Sequence, residues 1–354
     1  MSFSVGIVGL PNVGKSTLFK ALTKKQVDIA PYPFTTINPN AGVVAVPDER
    51  LEKIAEIVNP EKITPTIIEF VDIAGLVKGA HKGEGLGNQF LAQIRECDAI
   101  LEVVRCFRAN EIEHVEKEVN PERDIEIIKL ELIMKDLETI EKILEKTEKE
   151  TKNGDKALPA GRQESIKKLE LVNKIKENLS QGKAIFEFNL TDEEKFLLKE
   201  FQFLTVKPIV FIFNSGEEGA SPELIKRHQG IPLNLKLEEE ISELSESETK
   251  ELEMKSRVDQ LILTCYNILD LITFYTILGG KEARAWTIKK SALAPAAGGK
   301  VHTDFEEKFI RAEVIPWQKL VAAGSWTKAR ESGQIQTVGK DYAVQDGDVI
   351  EFKI

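Results

Sequence analysis

The chain has 354 residues, 48 Lys and Arg against 58 Asp and Glu, a formal net charge of −10 and 42 % apolar residues. That balance argues against a protein that coats nucleic acid through bulk charge, while the length suffices for two or three domains with real cores. Three cysteines (Cys97, Cys106, Cys265) without C-x-x-C spacing and four scattered histidines exclude a disulfide framework, a cysteine zinc site and a histidine metal cage.

In chain order, Val5–Val8 reads as a strand and Lys15–Thr23 as a helix, with further strands at Thr66–Val71, Ala99–Val104 and Ile209–Phe213. Strands separated by helices predict an α/β fold: a doubly wound, mainly parallel sheet with helices on both faces. The run from Pro208 to Phe213 is continuously apolar, as a strand buried on both faces should be. From Glu122 to Glu200 the texture changes, because 16 Lys/Arg and 19 Asp/Glu crowd 79 residues. Apolar residues recur there at helical spacing, first Ile125, Ile128, Leu132, Leu137, Ile140 and Leu144, then Ile166, Leu169, Val172, Ile175 and Leu179. Turn chemistry at 153–161 separates the runs, so this segment reads as an antiparallel helical hairpin with a coiled-coil-like seam. From Leu271 onward, short strands (Phe274–Leu278, Ala283–Ile288, Asp348–Lys353) alternate with Gly-rich turns. This part carries a net charge of +2, against −12 for the rest. The expected organisation is a nucleotide-binding domain over 1–121 and 201–270, a helical insertion over 122–200, and a small α+β domain over 271–354. No apolar stretch approaches the roughly 20 residues needed to span a bilayer, and Met1–Val5 lacks a basic leader. The expectation is a soluble cytoplasmic protein with no membrane association.

Gly9–Ser16 satisfies G-x-x-x-x-G-K-[ST] between a predicted strand and a predicted helix. Its glycines let backbone N–H groups face phosphates at the positive end of a helix dipole. Within Asn12, Val13, Gly14, Lys15, Ser16 and Thr17, Lys15 would bridge the β- and γ-phosphates and Ser16 would ligate Mg²⁺. Asp72 ends an apolar strand and could hold the same ion through water, while Gly75 of Asp72-Ile-Ala-Gly75 would offer its N–H to the γ-phosphate. Thr36, in a proline-stiffened loop, is the natural second protein ligand of Mg²⁺. After the strand ending at Phe213, a guanine reader would carry N-K-x-D; here stands Asn214-Ser215-Gly216-Glu217. Glu217 adds a methylene that displaces the carboxylate–guanine pairing, and Ser215 has no stem to cover a base. Asn214 matches adenine N6 and N7. ATP is therefore expected to be preferred over GTP.

These residues closely resemble the YchF / Obg-like ATPase family of Obg-related P-loop NTPases. The resemblance rests on N-V-G-K-S-T at 12–17, Y-P-F-T-T-I-N-P-N at 32–40 and D-I-A-G-L-V-K-G-A at 72–80. It continues through G-E-G-L-G-N-Q-F at 83–90, N-x-x-E at 214–217 and H-T-D-F-E-E-K-F-I-R-A-E-V at 302–314. It spans the whole chain and implies a C-terminal TGS-like domain of β-grasp type. It further implies a slow, Mg²⁺-dependent ATPase switch associated with the ribosome or its large subunit, with the Ser215 backbone contacting adenine. Asn234-Leu235-Lys236 departs from the small residues that relatives carry in the third base-reading loop.

In Ras-like proteins a Gln after D-x-x-G orders the attacking water. That position is Leu76 here, which favours either very slow turnover, a nucleotide-holding scaffold, or a substitute group. The resemblance points to His114, although a lone His in a charged loop is more often solvated surface. Asn12 stands where potassium-dependent relatives hold a monovalent cation, and a turn-filling asparagine explains it equally well. His81 to Gly85 suit a switch loop or a plain surface loop. In the C-terminal part Lys289, Lys290, Lys300, Lys308 and Arg311 lie near Phe305, Phe309, Trp317 and Trp326. That composition could make an RNA patch, and each aromatic singly is better explained as core.

Overall fold

A computed structural model of the chain describes residues 3–26, 40–73, 86–108, 114–152, 159–216, 219–278 and 281–354. The first strands and helices are β1 (Phe3–Val8), α1 (Lys15–Thr23), β2 (Ala41–Ala45), α2 (Glu49–Val58), β3 (Lys62–Thr64), β4 (Ile67–Asp72), α3 (Leu86–Glu96) and β5 (Ala99–Arg105). Then follow α4 (Pro121–Lys152), α5 (Pro159–Ser180), α6 (Asp192–Leu198), β6 (Ile209–Asn214), α7 (Pro222–His228), β7 (Ile231–Leu233), α8 (Leu235–Glu243), α9 (Glu246–Glu251) and α10 (Val258–Ile268). The last part comprises β8 (Leu271–Leu278), β9 (Glu282–Lys289), α11 (Ala294–Val301), α12 (Thr303–Glu307), β10 (Arg311–Pro316), α13 (Trp317–Ala323), α14 (Trp326–Glu331), β11 (Gln336–Val338) and β12 (Asp348–Lys353).

The first sheet has the order β2-β4-β1-β5-β6-β7, parallel throughout except for the antiparallel edge strand β2. β5 is buried along its whole length, and β1, β4 and β6 contribute Val5, Ile7, Phe70 and Ile212 to one core with Leu18, Leu22, Ile94, Leu261 and Ile262 from the helices. β2 and β7 are strands beyond those expected from the sequence. β7 is too short, at three residues, for its alternation to register.

The helical insertion differs from expectation in two places. Pro159 opens α5, so Pro159–Gly161 is helix and not turn; proline's fixed φ suits a first helical turn. Ile128 and Leu132 join the core of the first sheet, and Ile125 packs with Val104, Phe213 and Leu224. The insertion's own seam begins at Ile133 and runs through Ile140, Leu171, Val172, Ile175 and Leu179. Helical periodicity shows that a face is buried, but not against what.

The second sheet has the order β11-β10-β12-β8-β9-β3. Its edge strand β3 comes from between β2 and β4 and pairs parallel with β9. Likewise Leu51 and Ile54 of α2 pack with Tyr275, Ala285, Ile315, Leu320 and Val349. The stretch 49–64, allotted to the nucleotide domain by sequence order, thus packs with the C-terminal part. The four aromatic residues considered as base platforms are also packed inward. Phe309 is buried, Phe305 packs against the same cluster, and Trp317 and Trp326 pack on the opposite cluster. Among the described residues no helix is long and apolar enough to cross a membrane.

Candidate functional site

The loop after β1 turns sharply into α1. Asn12 sits at φ 62° and Gly14 at φ 108°. A Cβ on Gly14 would lie 2.5 Å from Asn214 Nδ2, so conformation and space both require glycine there. Gly14 is the N-cap of α1 and offers no side-chain cap. The first-turn N–H groups of Lys15, Ser16 and Thr17 therefore lack the intrahelical partners that later residues have. A helix end left open this way suits an anion.

Lys15 is 8 % exposed, and its Nζ donates to Gly9 O at 3.1 Å and Leu10 O at 2.8 Å. Burial lowers its pKa to about 8, against the opposing field of Asp72. Asp72 stands at the end of β4, half-buried, paired in register with Ile7 of β1. Burial raises its pKa and the Lys15 ammonium counters that rise.

Asn214 ends β6 and ties two loops together. Its Nδ2 donates to Val13 O at 2.8 Å, and its Oδ1 accepts from Leu235 N at 3.3 Å. Each end of the buried amide thus serves the protein once, and its second N–H and second lone pair remain for the adenine contact expected of it. Ser215 is also buried, and its N–H donates to Leu233 O at 2.9 Å. Asn234 caps α8 through Leu237 N at 3.2 Å, which aims the start of that helix at the same space.

Between these loops lies a cleft of about 740 Å³ lined by Asn12, Gly14–Thr17, Phe107, Asn214–Gly216, Asn234–Lys236 and Glu239. Its size suits a nucleotide-sized ligand. Of the residues singled out in the sequence, Asn12, Gly14, Lys15, Ser16, Thr17, Asn214 and Ser215 meet here. Val13 serves through its carbonyl. Phe107 and Glu239 were missed. Glu239 pairs with Lys20 of α1 at 3.2 Å, a contact spanning 219 residues that no local pattern encodes. Phe107 follows the end of β5 and could have been flagged by the rule that ligands gather outside the carboxyl ends of parallel strands.

His114 does not line the cleft. It is 4 % exposed, its Nε2 lies 2.9 Å from Asp124 Oδ2, and its Nδ1 accepts from Glu116 N at 3.1 Å. With Nδ1 accepting, Nε2 carries the proton and donates to the carboxylate. The expectation of a solvated or cleft-facing imidazole is corrected to a buried pair at the root of α4. Thr36, Gly75, Leu76, His81 and Glu217 lie outside the described residues. Among the described residues no group of three or more His, Cys, Asp or Glu side chains could hold a metal ion.

A parallel sheet, a glycine loop opening the first helix, and three loops converging on one cleft define a P-loop nucleotide-binding protein. A family profile described as a 50S ribosome-binding GTPase matches residues 4–150, and a YchF GTPase C-terminal profile, described as of unknown function, matches 271–354. The "Ribosome-binding ATPase YchF" of Bacillus subtilis is 45 % identical over 372 residues, covering 100 % of this chain and 99 % of that one. The protein of the same name from Escherichia coli O157:H7 is 45 % identical over 367 residues, covering 99 % of each. A solved structure titled as the Schizosaccharomyces pombe YchF GTPase matches with a TM-score of 0.86 at 36 % identity, covering 99 % of this chain and 98 % of that one. The chain belongs to the YchF family.

Proposed function

We propose that this chain is a Mg²⁺-dependent, ATP-preferring hydrolase that works as a slow nucleotide switch on the ribosome. The observation that carries this reading is the single cleft joining Gly14–Thr17 to Asn214–Gly216 and Asn234–Lys236. The bacterial relatives named ribosome-binding ATPases support the nucleotide and the partner. The fission-yeast relative is titled a GTPase, which keeps GTP as the competing substrate. Phosphate release from ATP and from GTP by purified protein decides between them. An ATP rate no higher than buffer hydrolysis leaves a nucleotide-holding scaffold, and a tenfold preference for GTP overturns the base assignment.

For the metal, exposed Ser16 at the start of α1 and the Asp72 carboxylate beside Lys15 supply the hard oxygen donors that Mg²⁺ takes. With Thr36 they form the expected ligand set, Asp72 acting through water. Bound there, the ion would neutralise charge on the phosphate oxygens. Backbone N–H groups of Gly14–Thr17 would hold the phosphates, Gly75 would offer its N–H to the γ-phosphate, and Glu217 would act in base binding as part of N-x-x-E. Potassium beside Asn12 would make turnover faster in K⁺ than in Na⁺ at equal ionic strength.

Phosphate oxygens would hold Lys15 charged, whereas burial among the protein's own groups sets its pKa at about 8. ATP binding above pH 8 should therefore take up a proton, and affinity should fall by up to about tenfold per pH unit. Titration calorimetry in buffers of different ionisation enthalpy measures this directly; a pH-independent affinity from 7 to 9.5 contradicts it.

His114 can meet a phosphate-bound water only after leaving Asp124. His114→Ala is expected to lower turnover by at least about tenfold with nucleotide affinity intact; unchanged turnover removes it from the chemistry. For the ribosome contact, the exposed Lys290, Lys300 and Arg311 offer cations to phosphates. Lys308 is paired with Asp304, and Lys289 with Leu269 O and the Phe3 ring.

A further inference from the structure

Among the described residues Arg105 is the largest fully buried side chain, 1 % exposed at the carboxyl end of β5. Burying a guanidinium is costly unless its donors and charge are matched by what surrounds it. Two of the groups it meets belong to one residue. Its Nε donates to Phe107 O at 3.1 Å, and its guanidinium carbon lies 4.5 Å from the centroid of the Phe107 ring. It thus holds Phe107 by backbone and by ring face at once. A cation over an aromatic face is strongest where water is excluded, as it is at this position.

Phe107 is a wall of the cleft, and its place within it is defined. Arg105 is in register with Asn214 across the sheet, and Cys106 N donates to Asn214 O at 2.8 Å. A Cβ on Gly216 would stand 3.4 Å from Phe107 Cβ. The ring therefore sits beside the Asn214–Gly216 loop, the end of the cleft remote in sequence from the phosphate-binding turn. On its other side Arg105 lies in the field of Asp124, the carboxylate that holds His114 at 2.9 Å. The neighbouring Glu102 is buried, and burial together with Asp124 and Glu126 pushes its carboxyl well above the usual carboxylate range.

We propose that Arg105 is a positioning residue for nucleotide binding: from the interior it fixes the Phe107 ring against the purine end of the cleft. This rests on the reading of the cleft as a purine nucleotide site. Arg105 touches no ligand itself, and its effect must appear only on the part of a nucleotide that reaches Phe107. Inorganic tripolyphosphate presents the phosphates without the purine and serves as the control ligand.

The test is a comparison of dissociation constants for ATP and for tripolyphosphate, both with Mg²⁺, in the full-length protein. Arg105→Met should weaken ATP by about tenfold, the scale of losing one ordered aromatic contact to a base, with tripolyphosphate unchanged. Arg105→Lys, which keeps the charge but not the planar Nε donor, should recover part of that loss. It also provides the comparison if the neutral variant does not fold. In a Phe107→Ala background, either Arg105 substitution should add nothing further. Equal losses for ATP and tripolyphosphate, no loss for ATP, or losses that add to those of Phe107→Ala would overturn the proposal. A wild-type protein that binds tripolyphosphate as tightly as ATP would instead overturn the purine reading of the cleft, and this proposal with it.

Discussion

Lys15→Met is expected to reduce ATP hydrolysis by about 10²- to 10³-fold, the range for removing one preorganised charge donor from a transition state. The effect is large because Lys15 is fixed before any ligand arrives. Its Nζ is anchored by the carbonyls of Gly9 and Leu10 at the mouth of the phosphate-binding turn. Little reorganisation is then needed when charge develops on a transferring phosphoryl group. Methionine keeps the buried stem, so the loop should retain its packing. The charge itself is a liability to folding: burial sets the Lys15 pKa at about 8, below its ordinary value. A base depressed in this way costs stability fully below pH 8, and the cost fades as pH rises from 8 towards the unfolded-state value. The variant should accordingly gain relative to wild type at pH 7 more than at pH 10 in thermal unfolding. Hydrolysis within tenfold of wild type would show that Lys15 is not the phosphate-contacting charge.

Asn214→Leu should destabilise the protein by about 2–5 kcal/mol and weaken ATP binding with it. Asn214 is 6 % exposed and bonds both Val13 O and Leu235 N. Leucine has a similar volume but leaves a buried carbonyl and a buried N–H without these partners, each worth about 1–3 kcal/mol. The two groups belong to the phosphate-binding turn and to the first turn of α8, so their separation opens the cleft between them. Denaturant unfolding gives the stability change, and a calorimetric titration with ATP gives the affinity. A stability loss under about 0.5 kcal/mol would mean that the amide is not the tie between the loops.

These two residues differ in how far the sequence discloses them. Lys15 stands in an eight-residue pattern whose glycines, lysine and serine are each required by phosphate chemistry, so role and residue can be read together. Asn214 is visible as a base-loop residue, yet its task of tying the two loops together is not legible from its hydrogen-bonding capacity. An amide that can pair with adenine can equally pair with a peptide N–H and C=O, and only the distances decide. His114 follows the same rule. Its surroundings in the chain are charged and suggest solvent, but the fold buries it against Asp124 at the root of α4.

The sequence by itself determined the phosphate-binding turn, the parallel strands β1, β4, β5 and β6, the two long helices and the final strand Asp348–Lys353. In each of these the signal is local: a fixed spacing, a period of two or of 3.6, or a continuous apolar run. What only the tertiary structure decided is which surfaces those elements cover. Periodicity marks Ile128 and Leu132 as buried without saying that they join the first sheet's core and not the helical seam. Sequence order places α2 and β3 in the nucleotide domain, while pairing with β9 and packing on Tyr275 and Ile315 place them against the C-terminal sheet. Apolar burial and backbone pairing are indifferent to separation along the chain once loops are closed, because the entropy of closure rises only slowly with loop length. The same indifference brings Lys20 to Glu239 and Phe107 to Gly216, and so completes a cleft whose phosphate and base loops the sequence showed without showing how they meet.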